Sequence, residues 1–180
     1  MATRVRALTV LVCGPESSGK STLARQLAWA LDGEYVAEQA RAWLTARNGH
    51  YTRADLDTLL DLQLEAERTA RARSASFVFC DTGPLNFQLW SQVRFRTTSD
   101  AINRAVSTMN YDVVVLCAPD LPWRADPLRE SPDAGERQAL FDAYHRAFTA
   151  HPRFYVVRGN DRAAGVLNWL LPSPDQIPVA

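Results

Sequence analysis

Four stretches of the chain are nearly unbroken apolar runs: Ala7–Cys13, Phe77–Asp81, Val113–Cys117 and Phe154–Val157. A short strand is also predicted around Glu34–Ala37, after the first helix. A strand with one face in water alternates apolar and polar residues, whereas a continuous run belongs to a strand covered on both sides. The segments between these runs change period. Ser21–Leu31 carries Leu23, Leu27, Ala30 and Leu31 at helical spacing, and Glu38 to about Asn48 places Ala40, Trp43 and Leu44 on one face with Gly49 as a C-cap. Thr52-Arg53-Ala54-Asp55 reads as a variant capping box opening a long helix with the stripe Leu56, Leu59, Leu60 and Leu64. Its far end, with Glu65, Glu67, Arg68, Arg71 and Arg73, reads as a solvated face. Further helices are predicted over Leu85–Phe95, Asp100–Met109 (capped by Ser99), Glu136 to about Ala150, and Asp161–Leu171.

Strands alternating with helices predict an α/β fold: about five strands in a mostly parallel sheet, helices on both faces. Nothing in the pattern separates two domains, so residues 1–171 form one unit. The Pro-rich tail, 172–180, is expected to be extended, and the aperiodic Pro-rich segment around 120–135 is left as a loop.

One connection carries chemistry. Gly14-Pro15-Glu16-Ser17-Ser18-Gly19-Lys20-Ser21 matches the phosphate-binding loop G-x-x-x-x-G-K-[ST] at every fixed position, directly after a predicted strand and before a helix. The fold expected is therefore that of P-loop NTPases and kinases. Glycines at both ends let the backbone curl so that N–H groups from Glu16 through Thr22 point at an anion, and the helix N-terminus adds partial positive charge. Lys20 reaches the outer phosphates of ATP, and the Ser21 hydroxyl is placed for Mg2+.

Composition sharpens this reading. Lys20 is the only lysine among 20 basic residues; all the others are arginine. An ammonium is a compact point charge and a guanidinium a wide planar fork, so the lone lysine stands where a phosphate cradle needs it. A GTPase is disfavoured because its N-K-x-D motif needs a second lysine. An ABC or AAA+ motor is disfavoured by length and by missing signature segments. The formal net charge is zero, which gives no footprint for nucleic acid or an anionic membrane. No apolar run approaches a membrane span, and a cytoplasmic protein with a small-molecule substrate is expected; the oligomeric state is open. Cys13, Cys80 and Cys117 lack metal-site spacing and read as buried free thiols.

Asp81 ends the third strand, where an acid lies near the metal and the transferred group; it either holds the metal through water or accepts the proton of an attacking hydroxyl. Glu38 and Arg41 stand one turn apart past the second strand, as acceptor-facing residues or as a surface ion pair. The loop after the fourth strand holds Asp120, Trp123, Arg124, Asp126 and Arg129. It reads either as a lid bringing Arg124 and Arg129 onto the phosphates or as a surface loop. Trp90 and Trp123 offer flat faces to a base or a cationic ring, with core packing the alternative for Trp90.

These pieces together resemble the ribosylnicotinamide-kinase domain of NadR-type proteins. The likeness rests on Gly14 through Thr22, Tyr35 through Arg41, Phe79 through Thr82, Pro119 through Trp123 with Asp126 and Arg129, and Tyr155 through Arg162. It implies transfer of the ATP γ-phosphate to the 5′-hydroxyl of nicotinamide riboside. It also implies that Arg162 contacts ATP and that Glu38, Arg41, Asp81, Trp90, Trp123 and Asp126 surround the acceptor. Members of that family commonly carry a second acid two residues after the Asp81 position, where this chain has Gly83. A kinase for another nucleoside or small alcohol, and a regulatory module that senses nucleotide without turnover, are the alternatives.

Overall fold

The computed structural model describes residues 6–73, 75–125, 128 and 133–171. The elements run β1 (Leu8–Cys13), α1 (Lys20–Ala30), β2 (Glu34–Val36), α2 (Gln39–Thr45), α3 (Arg53–Arg71), β3 (Phe77–Asp81), α4 (Pro84–Phe95), α5 (Asp100–Thr108), β4 (Val113–Cys117), α6 (Ala134–Phe148), β5 (Phe154–Val157) and α7 (Arg162–Leu170). The five strands form one sheet in the order β2-β3-β1-β4-β5, and every pairing is parallel.

The unbroken apolar runs are explained by what covers each face. Along β1, Val10 and Val12 pack with Leu23, Ala24 and Leu27 of α1 and Val166 and Leu170 of α7. Leu11 and Cys13 point the other way, into a cluster with Phe141, Tyr144 and Phe148 of α6. A third cluster gathers Leu44, Leu56, Leu59, Leu60, Phe87 and Ile102 from α2 to α5 and walls off the space beyond the sheet. The three cysteines are free and buried; Cys13 and Cys80 belong to one face and Cys117 to the other.

Local signals set most boundaries. Ser99 Oγ accepts the Ile102 N–H at 3.2 Å, and Gly49, at φ 78, donates to the Leu44 carbonyl at 2.9 Å to close α2. Asp55 accepts from both the N–H and the hydroxyl of Thr52, at 2.7 and 2.8 Å. α6 begins earlier than its apolar period suggests because Asp133 caps it, accepting the Glu136 N–H at 2.8 Å.

The far end of α3 departs from expectation. Glu65 and Arg68 pair in solvent, but Glu67 is 3% exposed. Its carboxylate accepts the Tyr111 hydroxyl at 2.9 and 3.1 Å and pairs with Arg71 at 3.1 Å. Burial pushes the Glu67 carboxyl above its ordinary range, against the pull of Tyr111 and Arg71. A charge pattern on one helix does not show a tyrosine far along the chain folding over it.

Candidate active site

In an open parallel sheet, ligands bind beyond the carboxyl ends of the strands, where the chain changes its direction of travel across the sheet. Here that point is β1, which passes the chain first outward to β2 and later, after β3, to β4 on its other side. The loop 14–19 leaves β1 at this point. Gly14 adopts φ 136, and a Cβ on it would lie 2.5 Å from the Cys117 carbonyl, so the residue is required both by conformation and by the closeness of β4. The loop is braced from within: the Ser18 hydroxyl donates to the Pro15 carbonyl at 2.7 Å, and Lys20 Nζ reaches back to the same carbonyl at 2.9 Å. α1 has no side-chain N-cap and no acid in its first turn, which leaves its leading N–H groups for an anion.

A cleft of about 590 Å3 extends from this loop. One end is lined by Gly14 through Thr22, with Arg25; the other continues past Glu38, Arg41 and Asp81 to Tyr51, Trp90 and Leu128. Asp81 lies beside Val12 in the sheet register and is 1% exposed. Its Oδ2 accepts the Tyr35 hydroxyl at 3.2 Å, and its buried Oδ1 has no partner among the described residues. The next residue, Thr82, holds φ 83 while its N–H donates to the Val12 carbonyl at 3.0 Å. A β-branched residue in that region is strained by about 1–3 kcal/mol, and the strain adjoins the buried acid.

Glu38 is the N-cap of α2, and its side chain caps nothing. It lines the cleft instead, half-buried, and desolvation raises its pKa above the ordinary 4.5. Lys20 and Arg41 oppose that shift, and Asp81 and Glu16 reinforce it. The backbone of α2 is tied down from α3, because the Gln39 N–H donates to Oε1 of the fully buried Gln63 at 3.1 Å. Across the cleft, the Tyr144 hydroxyl donates to Asn86 at 2.9 Å. Farther out, Trp90 donates its indole N–H to the Tyr51 hydroxyl at 2.8 Å, with ring centroids 4.9 Å apart. Trp90 thus both packs against the third cluster and lines the cleft, so its two readings are compatible.

Not every expected site residue lines this cleft. Arg162 does not line the cleft. It is 5% exposed, and its guanidinium donates to the carbonyls of Gly159, Ser18 and Ala118 at 2.8, 2.7 and 3.2 Å and pairs with Asp120. It clamps the loop to the ends of β4 and β5 from beneath, a positioning role. Trp123 and the Arg124 side chain are likewise outside the described cleft lining. The Arg124 backbone N–H donates to Ser17 Oγ at 3.1 Å, which ties the segment after β4 to the phosphate loop. Asp126 and Arg129 lie outside the described residues. Tyr35, Tyr51 and Arg94 are cleft residues without a periodic or motif signal of their own; Tyr35 is notable only as part of the segment leading to Glu38.

ATP and Mg2+ are the groups such a loop implies. The residues fit a hard divalent cation: Ser21 supplies a hydroxyl at the cleft wall, and Asp81 a buried carboxylate with one oxygen unclaimed. Mg2+ typically takes only one or two protein ligands beside water and phosphate oxygens.

Fold and loop together define a P-loop NTPase-like protein. A family model described as an AAA domain matches residues 9–162, and the chain belongs to that family. No curated protein matches the chain by sequence. Among solved structures, NadR protein in complex with NAD and AMP-PNP matches with TM-score 0.74 and 16% identity, over 91% of this chain and 48% of that one. NadR in complex with NR matches with TM-score 0.74 and 17% identity, over 93% of this chain and 51% of that one. The chain thus spans about half the length of these proteins, and at such identity the likeness is one of fold. Among the described residues no helix is long and apolar enough to cross a membrane.

Proposed function

We propose that the protein is an ATP-dependent kinase that phosphorylates the 5′-hydroxyl of nicotinamide riboside, giving the mononucleotide. The observation that carries this reading is the continuity of the cleft. The phosphate loop opens into a second chamber that holds two acids and an aromatic wall, which a phosphate sensor or simple hydrolase does not need. The two NadR structures, solved with NAD and AMP-PNP and with NR, support the choice of acceptor.

In the proposed reaction the loop N–H groups and Lys20 hold the β- and γ-phosphates, and Ser21 with Asp81 would hold Mg2+, which would supply charge neutralisation. Tyr51 and Trp90 orient the pyridinium ring, and Arg41 steadies the Glu38 carboxylate. Glu38 accepts the proton of the 5′-hydroxyl as that oxygen bonds to the γ-phosphorus. The bond from the γ-phosphorus to the β–γ bridging oxygen breaks, and ADP departs with its electron pair. Arg124, whose backbone is tied to Ser17, belongs to a lid that excludes water over this step.

A panel of ribosides in an ATP-consumption assay tests the proposal. Turnover with nicotinamide riboside is expected; turnover only with another nucleoside or small alcohol, or tight nucleotide binding without turnover, overturns it. The base assignment has its own signature. A base works only when deprotonated, and burial has raised the Glu38 pKa, so kcat/KM should rise with pH through a midpoint above 4.5. Glu38→Gln should abolish that ascending limb and lower kcat by about 10²–10⁴-fold. Retention of the limb would transfer the role to Asp81.

A further inference from the structure

Among the described residues, the α4 side of the cleft carries a charged side chain for which the reaction above has no use. α4 presents Asn86, Leu89, Trp90, Val93 and Arg94 to the cleft, one helical face running away from the Asp81 end. At 1.5 Å per residue, Arg94 lies on the order of 12 Å beyond Asn86 along the helix axis. Arg94 follows Trp90 by four residues on that face, and Trp90 contacts Tyr51; among the described lining residues the acids are Glu16, Glu38 and Asp81, and Glu38 interacts electrostatically with the other two and with Lys20. Arg94 is exposed, and no described residue gives it a hydrogen bond or ion pair.

A guanidinium held open beside an aromatic pair is a recognition element for a planar anion. We infer that Arg94 is a specificity-determining residue that admits acceptors bearing a carboxylate on the aromatic ring, so that the acid form of the pyridine riboside is a substrate alongside the amide. Such an acceptor is a zwitterion. Its pyridinium ring faces Tyr51 and Trp90, where a cation is favoured, and its carboxylate meets Arg94. A carboxamide in the same place presents no charge to the guanidinium. This inference rests on the pyridine-riboside reading and deepens it.

Nicotinate riboside and nicotinamide riboside differ at one substituent of nearly equal size, which makes them the appropriate pair of probes. The wild-type protein is expected to phosphorylate the acid. In Arg94→Gln the ratio of kcat/KM for acid over amide should fall tenfold or more, through KM for the acid, while Arg94→Lys retains most of the ratio. Because Arg94 is exposed on a helix surface, both variants should fold, as checked by thermal melting. Turnover of the amide without the acid overturns the inference alone, as does an acid-to-amide ratio that Arg94→Gln leaves unchanged. Failure of both ribosides overturns the riboside reading and this inference with it.

Discussion

Lys20→Ala should lower kcat/KM by on the order of 10³-fold, about 4 kcal/mol of transition-state stabilisation. Its melting temperature should stay within about 2–4 °C of wild type. The two expectations are separable because of how Lys20 is held. Its one recorded hydrogen bond within the protein is to the Pro15 carbonyl at 2.9 Å, a partly exposed contact whose loss costs about 1 kcal/mol. Gly14 and Ser18 brace the loop independently of it. Arginine at this position should fail almost as badly, since a planar fork does not enter a cradle shaped for an ammonium. Steady-state kinetics beside calorimetry checks all three statements; a kinetically competent Lys20→Ala protein would remove the phosphate loop from the mechanism.

The second large effect is expected at Asp81. Asp81→Asn keeps the shape and an acceptor for the Tyr35 hydroxyl, now 3.2 Å away, while removing the charge from a side chain that is 1% exposed. A buried amide carries no ionic desolvation cost, so stability should hold or improve. Catalysis should not: kcat is expected to fall by about 10²–10⁴-fold, and saturation should require far more Mg2+, whereas nucleotide binding measured without Mg2+ should be unchanged. An unaltered Mg2+ requirement would show that Asp81 serves the acceptor rather than the metal.

How far the sequence could be read depended on the range of the interactions involved. The central strands β1, β3 and β4 were legible because burial on both faces leaves continuous apolar runs, and the loop 14–21 because its spacing is fixed by backbone geometry. Glu38 and Asp81 were legible as residues just past strand ends, and the structure brings both to one cleft with Lys20. Contacts between distant segments left no such trace. Arg162 stands at the start of α7, and nothing near it in sequence marks its bonds to the Ser18 and Ala118 carbonyls, 144 and 44 residues away. Glu67 reads as one charge in a charged helix end until Tyr111, 44 residues on, folds over it. Tyr51 lies in a turn between two helices, where no period exists to mark it.

The glycine at position 83 gains meaning from that same tyrosine. A Cβ there would lie 2.6 Å from the Tyr111 hydroxyl and 3.0 Å from Leu11 Cδ1, and the hydroxyl is fixed by both oxygens of Glu67. A side chain at position 83 therefore requires the Tyr111 ring to move. Such a move breaks the hydroxyl's bonds to Glu67 and leaves that buried carboxylate to Arg71. Positions 67, 83 and 111 are thus coupled, and the single acid at this strand end is tied to a tyrosine–carboxylate contact outside the cleft lining.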